Sequence, residues 1–262
     1  MKKDKFTIIL VILLIMIFII VVFAEFVAPY DPYQSNLQNA FMPPNSDHIF
    51  GTDKLGRDIF SRIIYGIRIS LSVSVILIAM ISIIGSTLGI IAGYNGKLID
   101  MIIMRISDIL ISCPSMVLAI ALAGIMGASL RNAMIAIFVV TISKYIRLSR
   151  SMVIKVINED YIRSAKMAGT TKFGILTRHV LPNISQTLIV TAATDIGAII
   201  LELSALSFLG FGVSAPTPEL GLMVNEGRPY MLAYPWLVFY PGITIAIIVT
   251  IINLLSEKVR YW

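Results

Sequence analysis

The sequence predicts an all-α protein that crosses a membrane six times, and three observations point that way. Hydrophobic residues fill 57% of the 262 positions and charged residues only 14%, with a mean hydropathy of +0.89. Soluble domains carry about 25% charged residues and have no single core able to hide so much apolar surface. The apolar residues come in unbroken runs of roughly 20, the length a helix needs to cross a bilayer. Finally, the 21 Lys and Arg residues gather mainly in the polar stretches that flank those runs. That placement explains the net charge of +6 by membrane topology rather than by nucleic acid.

The first run covers residues 6–23 and follows Lys2, Lys3 and Lys5. Val22-Phe23-Ala24 would serve as a signal-peptide cleavage site, but the run exceeds the ~7–15 apolar residues of such a signal. It reads as a transmembrane helix with its amino end in the cytoplasm, within an N-terminal unit of residues 1–27. Residues 28–67 form an extracytoplasmic connection, extended at first by Pro29, Pro32, Pro43 and Pro44. Its later part sets Ile59, Ile63, Ile64 and Ile67 at helical spacing, with Arg57, Asp58, Arg62 and Arg68 turned elsewhere. This spacing predicts an amphipathic helix lying at the membrane surface.

A five-helix core is expected over residues 68–262. Its first span is 72–92, followed by a short turn at 93–97. The next, 99–122, holds Arg105 and Asp108 three residues apart, a spacing that lets them neutralise each other in lipid. Pro114 is expected to kink this span. The run at 133–151 turns basic at Lys144, Arg147 and Arg150. The run at 187–209 carries Asp195 and Glu202, seven residues apart and so on one face. Residues 207–231 are too rich in Gly and Pro to span. The last run, 236–255, brings Trp236 and Tyr240 to an interface. With both termini inside, 15 of the 21 Lys and Arg face the cytoplasm and six face out, as the positive-inside rule requires.

The longest polar interval, residues 158–183, then lies on the cytoplasmic side. Asn158 is placed to cap a helix whose first turn holds Glu159 and Asp160. Ile162, Ala165, Met167 and Ala168 give it a mostly small face, and Gly169 ends it. A second, basic helix over 172–180 is expected to stop at Pro182. A helix–Gly–helix with a small face suits a groove in another protein.

This interval resembles the cytoplasmic "EAA" coupling loop of ABC-importer permeases, E-A-A-x3-G-x9-I-x-L-P. Ala165, Gly169, Leu181 and Pro182 match in register, while Arg163, Ser164 and His179 replace Glu, Ala and Ile. Residues 48–71 closely resemble the GTDxLGRDxxSRxxYGxRxSL signature of the oligopeptide, dipeptide and nickel branch. Residues from 207 onward are similar to its SFLGLG and PTPxWG strings, with Leu220 in place of Trp.

The resemblance implies the type I importer permease fold and the second, C-type permease of a binding-protein-dependent system. It implies a heterodimer with a sister permease, two ATPases that hold ATP and Mg2+, and an extracytoplasmic binding protein, in a bacterial cell membrane. This chain itself would carry no cofactor. Tyr161, Ala165, Gly169, Leu181 and Pro182, within a loop over residues 155–184, would couple to the ATPase. Asp195 and Glu202, and more weakly Asp108, are the candidate path residues, suited to a cationic cargo group. Peptides and nickel or metal chelates are the expected cargoes, and the short chain and Asp195-Ile196-Gly197 lean slightly to nickel.

Other chemistry is missing from the sequence. It has no G-x-x-x-x-G-K-[ST], H-E-x-x-H or G-x-S-x-G. The single Cys113 excludes an internal disulfide, and His48 and His179 fall on opposite sides of the membrane. The chain is therefore expected to be a non-enzymatic subunit. An ion-coupled secondary transporter is the alternative, since it too could use Asp195 and Glu202.

Overall fold

The computed structural model describes residues 5–260. Lys2 and Lys3 of the expected inward charge, and Tyr261 and Trp262, lie outside the described residues. Among the described residues the regular structure is helical, with one isolated bridge between Thr52 and Asp58.

The chain begins with α1 (Lys5–Val22) and the single turn α2 (Ala24–Val27). After the polar connection comes α3 (Ile59–Asn95), 37 residues and so about 55 Å long. The expected surface helix and the span after it are thus one helix. No proline interrupts it; Asp58 caps its start by accepting from the Ser61 N–H, and Gly96 at φ 61° ends it. Next are α4 (Lys97–Ile111) and α5 (Ser115–Met126), bent by 89°. Pro114 does more than kink the segment: its extended ψ of 129° and missing N–H break it.

The remaining helices are α6 (Leu130–Ile157), α7 (Asp160–Met167), α8 (Lys172–Ile175), α9 (Leu181–Phe208), α10 (Leu220–Gly227) and α11 (Trp236–Arg260). Among the described residues, four helical stretches are long and apolar enough to cross a membrane: α3, α6, the stretch ending in α9, and α11. The bent α4–α5 pair makes a fifth, and Thr7–Val22 is a shorter apolar helix.

In lipid, helices gain nothing by hiding apolar surface from water, so close backbone packing must hold them together. The largest helix contact, α3 with α6, shows how. Gly85, Gly89 and Gly93 recur every fourth residue on α3 and face Tyr145, Ser149 and Arg150 of α6. A methyl group at Gly89 would overlap Ser149 Oγ and the Ile146 carbonyl. Around this seam, Leu77, Ile81, Ile137, Leu203 and Leu206 join α3, α6 and α9 in the central core. A second cluster packs α1, α10 and α11 against α3.

The connection leading into α3 is held by a buried charge cluster, which corrects the expected surface placement of Arg57 and Arg62. Both are 1% exposed. Arg57 Nε donates to Asp53 Oδ2 at 2.6 Å, and Arg62 Nη2 donates to Glu226 Oε2 of α10 at 3.0 Å. Asp58 meets His48 Nδ1 at 2.9 Å and accepts from Ser61 Oγ at 2.8 Å. The string that resembles a surface helix is instead a clamp joining the connection, the start of α3 and α10. Next to it, fully buried Glu219 caps α10 by accepting from the Leu222 N–H at 2.8 Å and from Ser70 Oγ at 3.2 Å. Burial pushes its carboxyl above the usual carboxylate range, against the pull of those donors.

Gly89→Ala is expected to destabilise the helix pair by about 1–3 kcal/mol through overpacking. Gly242→Ala, in a helix where nothing lies within 4 Å of the new methyl, should be neutral or stabilise by up to about 1 kcal/mol. Thermal unfolding of the two variants in detergent measures the contrast.

Candidate functional site

The loop between α6 and α9 is built outward from a small aliphatic core. Ile162 of α7, Ile175 of α8, Val180 and Ile184 pack with Val153 of α6, each at most 1% exposed. Asn158 does not cap α7: its backbone is helical and it closes α6, while Glu159 occupies the N-cap without a side-chain bond. Gly169 takes φ 82°, a conformation costly for any residue with a side chain. There the chain turns from α7 to α8, whose start is capped by Thr171 Oγ accepting from the Gly174 N–H at 3.1 Å.

The second helix does not stop at Pro182. It runs through a π-helical turn, Leu176–Val180, directly into α9. The widened turn places Pro182 in the first turn of α9, where its missing N–H is tolerated. A single helical stretch of 37 residues, Lys172–Phe208, results.

Of the five residues expected to couple, Tyr161, Leu181, Pro182 and Gly169 are exposed and Ala165 is half-buried. Tyr161 and the base of α9 are brought together: Asn183 Nδ2 donates to Tyr161 Oη at 3.1 Å. The most prominent apolar groups are two that the loop motif does not single out, Met167 at 83% and Phe173 at 75% exposed. Their signal in the sequence is an apolar residue on each side of Gly169, off the Ile162–Ile175 face.

The candidate path residues are not gathered into one cluster. Asp195 is buried, and both its oxygens accept from Lys144 Nζ at 2.7 Å; Tyr145 Oη donates to Oδ2 at 2.9 Å. Glu202 lies two turns along α9, half-buried, and makes no hydrogen bond or salt bridge among the described residues. Asp108 pairs with Arg147 of α6 and not with Arg105, which is exposed. The i, i+3 neighbour on the same helix lost to the guanidinium of Arg147, which α6 brings alongside α4. Arg150 similarly holds Asp100 of α4, with Nη2 to Oδ2 at 2.6 Å.

Three cations of α6 thus each meet a carboxylate of another helix. These pairs tie α4 and α9 to α6. The sequence displayed all six residues, but partners on different helices have no spacing rule to reveal them. Among the described residues no group of three His, Cys, Asp or Glu could hold a metal ion. A double-mutant cycle checks the central pair. Lys144→Met and Asp195→Leu should each destabilise alone, the double variant should recover much of the loss, and unfolding should give a coupling energy of about 1–3 kcal/mol.

Comparison with known proteins agrees with this architecture. Residues 85–261 match the family described as binding-protein-dependent transport system inner membrane component. Residues 1–44 match the N-terminal TM domain of oligopeptide transport permease C. The chain is 42% identical over 260 residues to the dipeptide transport system permease protein DppC of Alkalihalophilus pseudofirmus, covering 99% of this chain and 86% of that one. It is 41% identical to DppC of Haemophilus influenzae, covering 90% and 82%. It is 40% identical to the probable D,D-dipeptide transport system permease protein DdpC of Escherichia coli, covering 91% and 80%. In fold it is similar to a chain of the inward-facing MetNI methionine ABC transporter, with a TM-score of 0.62 and 16% identity over 78% of this chain and 97% of that one. The chain belongs to the inner membrane components of binding-protein-dependent transport systems, as a C-type permease of an ABC importer.

Proposed function

We propose that the chain forms half of the translocation path of an ATP-driven importer of dipeptides and short oligopeptides. A sister permease supplies the other half, two separate ATPases supply the force, and an external binding protein delivers the cargo. ATP and Mg2+ belong to the ATPases. Both termini lie in the cytoplasm of a bacterial cell, as the inward bias of Lys and Arg requires. The relatives named above support peptide cargo and give no support to nickel or a metal chelate. Family membership displaces the ion-coupled secondary transporter.

The observation that carries the coupling reading is the build of the loop. Its Ile162–Ile175 side is locked to α6 and α9, while Met167 and Phe173 project from the opposite side. Exposed apolar groups on an otherwise polar segment mark a protein contact. Closure of the ATPases would press on that side, and the continuous helix from Lys172 to Phe208 would carry the push into the membrane. Tyr161, Ala165, Gly169, Leu181 and Pro182 shape the loop that receives it. Within the path, Glu202 is the carboxylate left for the peptide's amino terminus, because Asp195 and Asp108 are occupied by Lys144 and Arg147.

Met167→Glu and Phe173→Glu, both at exposed sites, should leave membrane levels intact while lowering dipeptide uptake by the reconstituted complex at least ~10-fold, the change expected for about 1.4 kcal/mol of lost contact. Full uptake by both variants would remove the loop from the coupling role. Glu202→Gln should raise the KM for dipeptides with a free amino terminus and leave basal ATP hydrolysis unchanged. An unchanged KM would remove Glu202 from the path.

A further inference from the structure

Three arginines stand at or near the start of α3, and the clamp takes up only Arg57 and Arg62. The third, Arg68, is exposed and donates through Nη1 to Glu25 Oε1 of α2 at 3.2 Å. Among the described residues neither side chain has another hydrogen-bond or ion-pair partner. The guanidinium therefore keeps most of its five N–H donors, and the carboxylate keeps an oxygen. One turn beyond this pair, on both helices, a groove begins. Leu71, Ser72 and Val75 follow Arg68 on α3 at i+3, i+4 and i+7, while Val21, Phe18 and Leu14 precede Glu25 at i−4, i−7 and i−11. Each set is one helical stripe, so both stripes run from the ion pair into the groove.

The groove holds about 870 Å3 between α1, α3, α9 and α11. Three of those walls are helices long and apolar enough to cross a membrane. Twelve of its 15 lining residues are Val, Leu, Ile or Phe, and the others are Ser72, Ala193 and Ser256. Two hydroxyls offer water too few partners, and a void would forfeit the dispersion contacts of every wall. Hydrocarbon must fill it, either as lipid chains or as a helix of another subunit. Helices approach one another in lipid through small residues, as Gly85, Gly89 and Gly93 do further along α3. The groove has no glycine. A spanning helix, ~10 Å wide and ~30 Å long, also fills roughly 2,400 Å3, well beyond the space between these walls. Acyl chains fit inside it.

We infer that this groove binds one membrane phospholipid with an amine headgroup, of the phosphatidylethanolamine type. Its acyl chains lie along Phe18 and Val75, its phosphate accepts from Arg68, and its ammonium donates to Glu25. The exposed ion pair is thus the counterpart of a zwitterionic headgroup. Phosphatidylglycerol would satisfy Arg68 but would set its phosphate beside Glu25 with no ammonium to offset the like charge. Seated there, the lipid fills the space between α1 and the three spanning helices. This assignment is independent of cargo and of the coupling loop.

The test uses the assembled complex, reconstituted in nanodiscs of equal parts phosphatidylethanolamine and phosphatidylglycerol and released for native mass spectrometry. Phosphatidylethanolamine is expected to remain bound in several-fold preference to phosphatidylglycerol. The double substitution Glu25→Gln and Arg68→Gln, at exposed positions, should lower that preference several-fold. Val75→Trp, at a site 47% exposed, fills the groove and should remove one phosphatidylethanolamine per complex. A benzophenone side chain at position 18 should cross-link to lipid on irradiation. Equal retention of the two lipids overturns the proposal, as does a preference that survives either variant. A cross-link from position 18 to the sister permease in place of lipid would also overturn it, and would assign the groove to a helix of that subunit.

Discussion

What the rest of the structure depends on is how closely two backbones can approach. Inside a bilayer the hydrophobic effect does not bring helices together, so van der Waals packing must do so. Gly85, Gly89 and Gly93 give α3 a groove without side chains, and α6 lies in it. Because α6 is seated so tightly, its Lys144, Arg147 and Arg150 come within reach of α9 and α4. Its far end at Ile157 also fixes where the polar loop emerges. Separate α3 from α6 by the width of a side chain, and each of those ion pairs is stretched.

Charge serves different ends at two places in the fold. Between α6 and its neighbours, single cations meet single carboxylates across helices and tie each helix to α6. At the start of α3, two guanidinium groups and two carboxylates are buried with Lys54 at the rim. Buried pairs of this kind seldom add much stability over an apolar packing of the same shape. What they provide is register: a planar donor fork accepts carboxylates in few orientations. The clamp therefore fixes how α10, with Leu220 against Gly66, sits beside α3.

Much of the fold was legible because periodicity and length survive in a linear sequence. The apolar runs at 133–151 and 236–255 lie inside α6 and α11, the run at 187–209 overruns the end of α9 by one residue, and Gly169 turns the chain where a left-handed residue was needed. The failures have a common physical origin. Ile59–Ile67 were read as a surface stripe because Glu226, the carboxylate that Arg57 and Arg62 share with α10, lies 169 and 164 residues later. Asp108 was assigned to Arg105 for the same reason: local spacing hid Arg147. Pro182 was read as a stop, since no sequence rule reports the π turn that absorbs it. The exposure of Met167 and Phe173 follows from which face Ile162 and Ile175 claim, and that is settled only once Val153 and Ile184 are in place.

The π turn bears on how force could pass through the proposed coupling loop. An α-helix ending at Pro182 would leave a flexible joint between loop and membrane, and motion of the loop would be lost in bending. Leu176–Val180 instead admits one extra residue to the turn, so Pro182 falls where no hydrogen bond is required of it. Helical structure is kept from Lys172 to Phe208, and Asp195 sits near the middle of α9, tied to Lys144. A push at Phe173 then has two rigid outlets, directly along α9 and through Ile162 and Val153 into α6. Because Lys144 and Asp195 tie those two helices together, the two outlets would move together. Under the proposed function, the loop moves α6 and α9 as one lever.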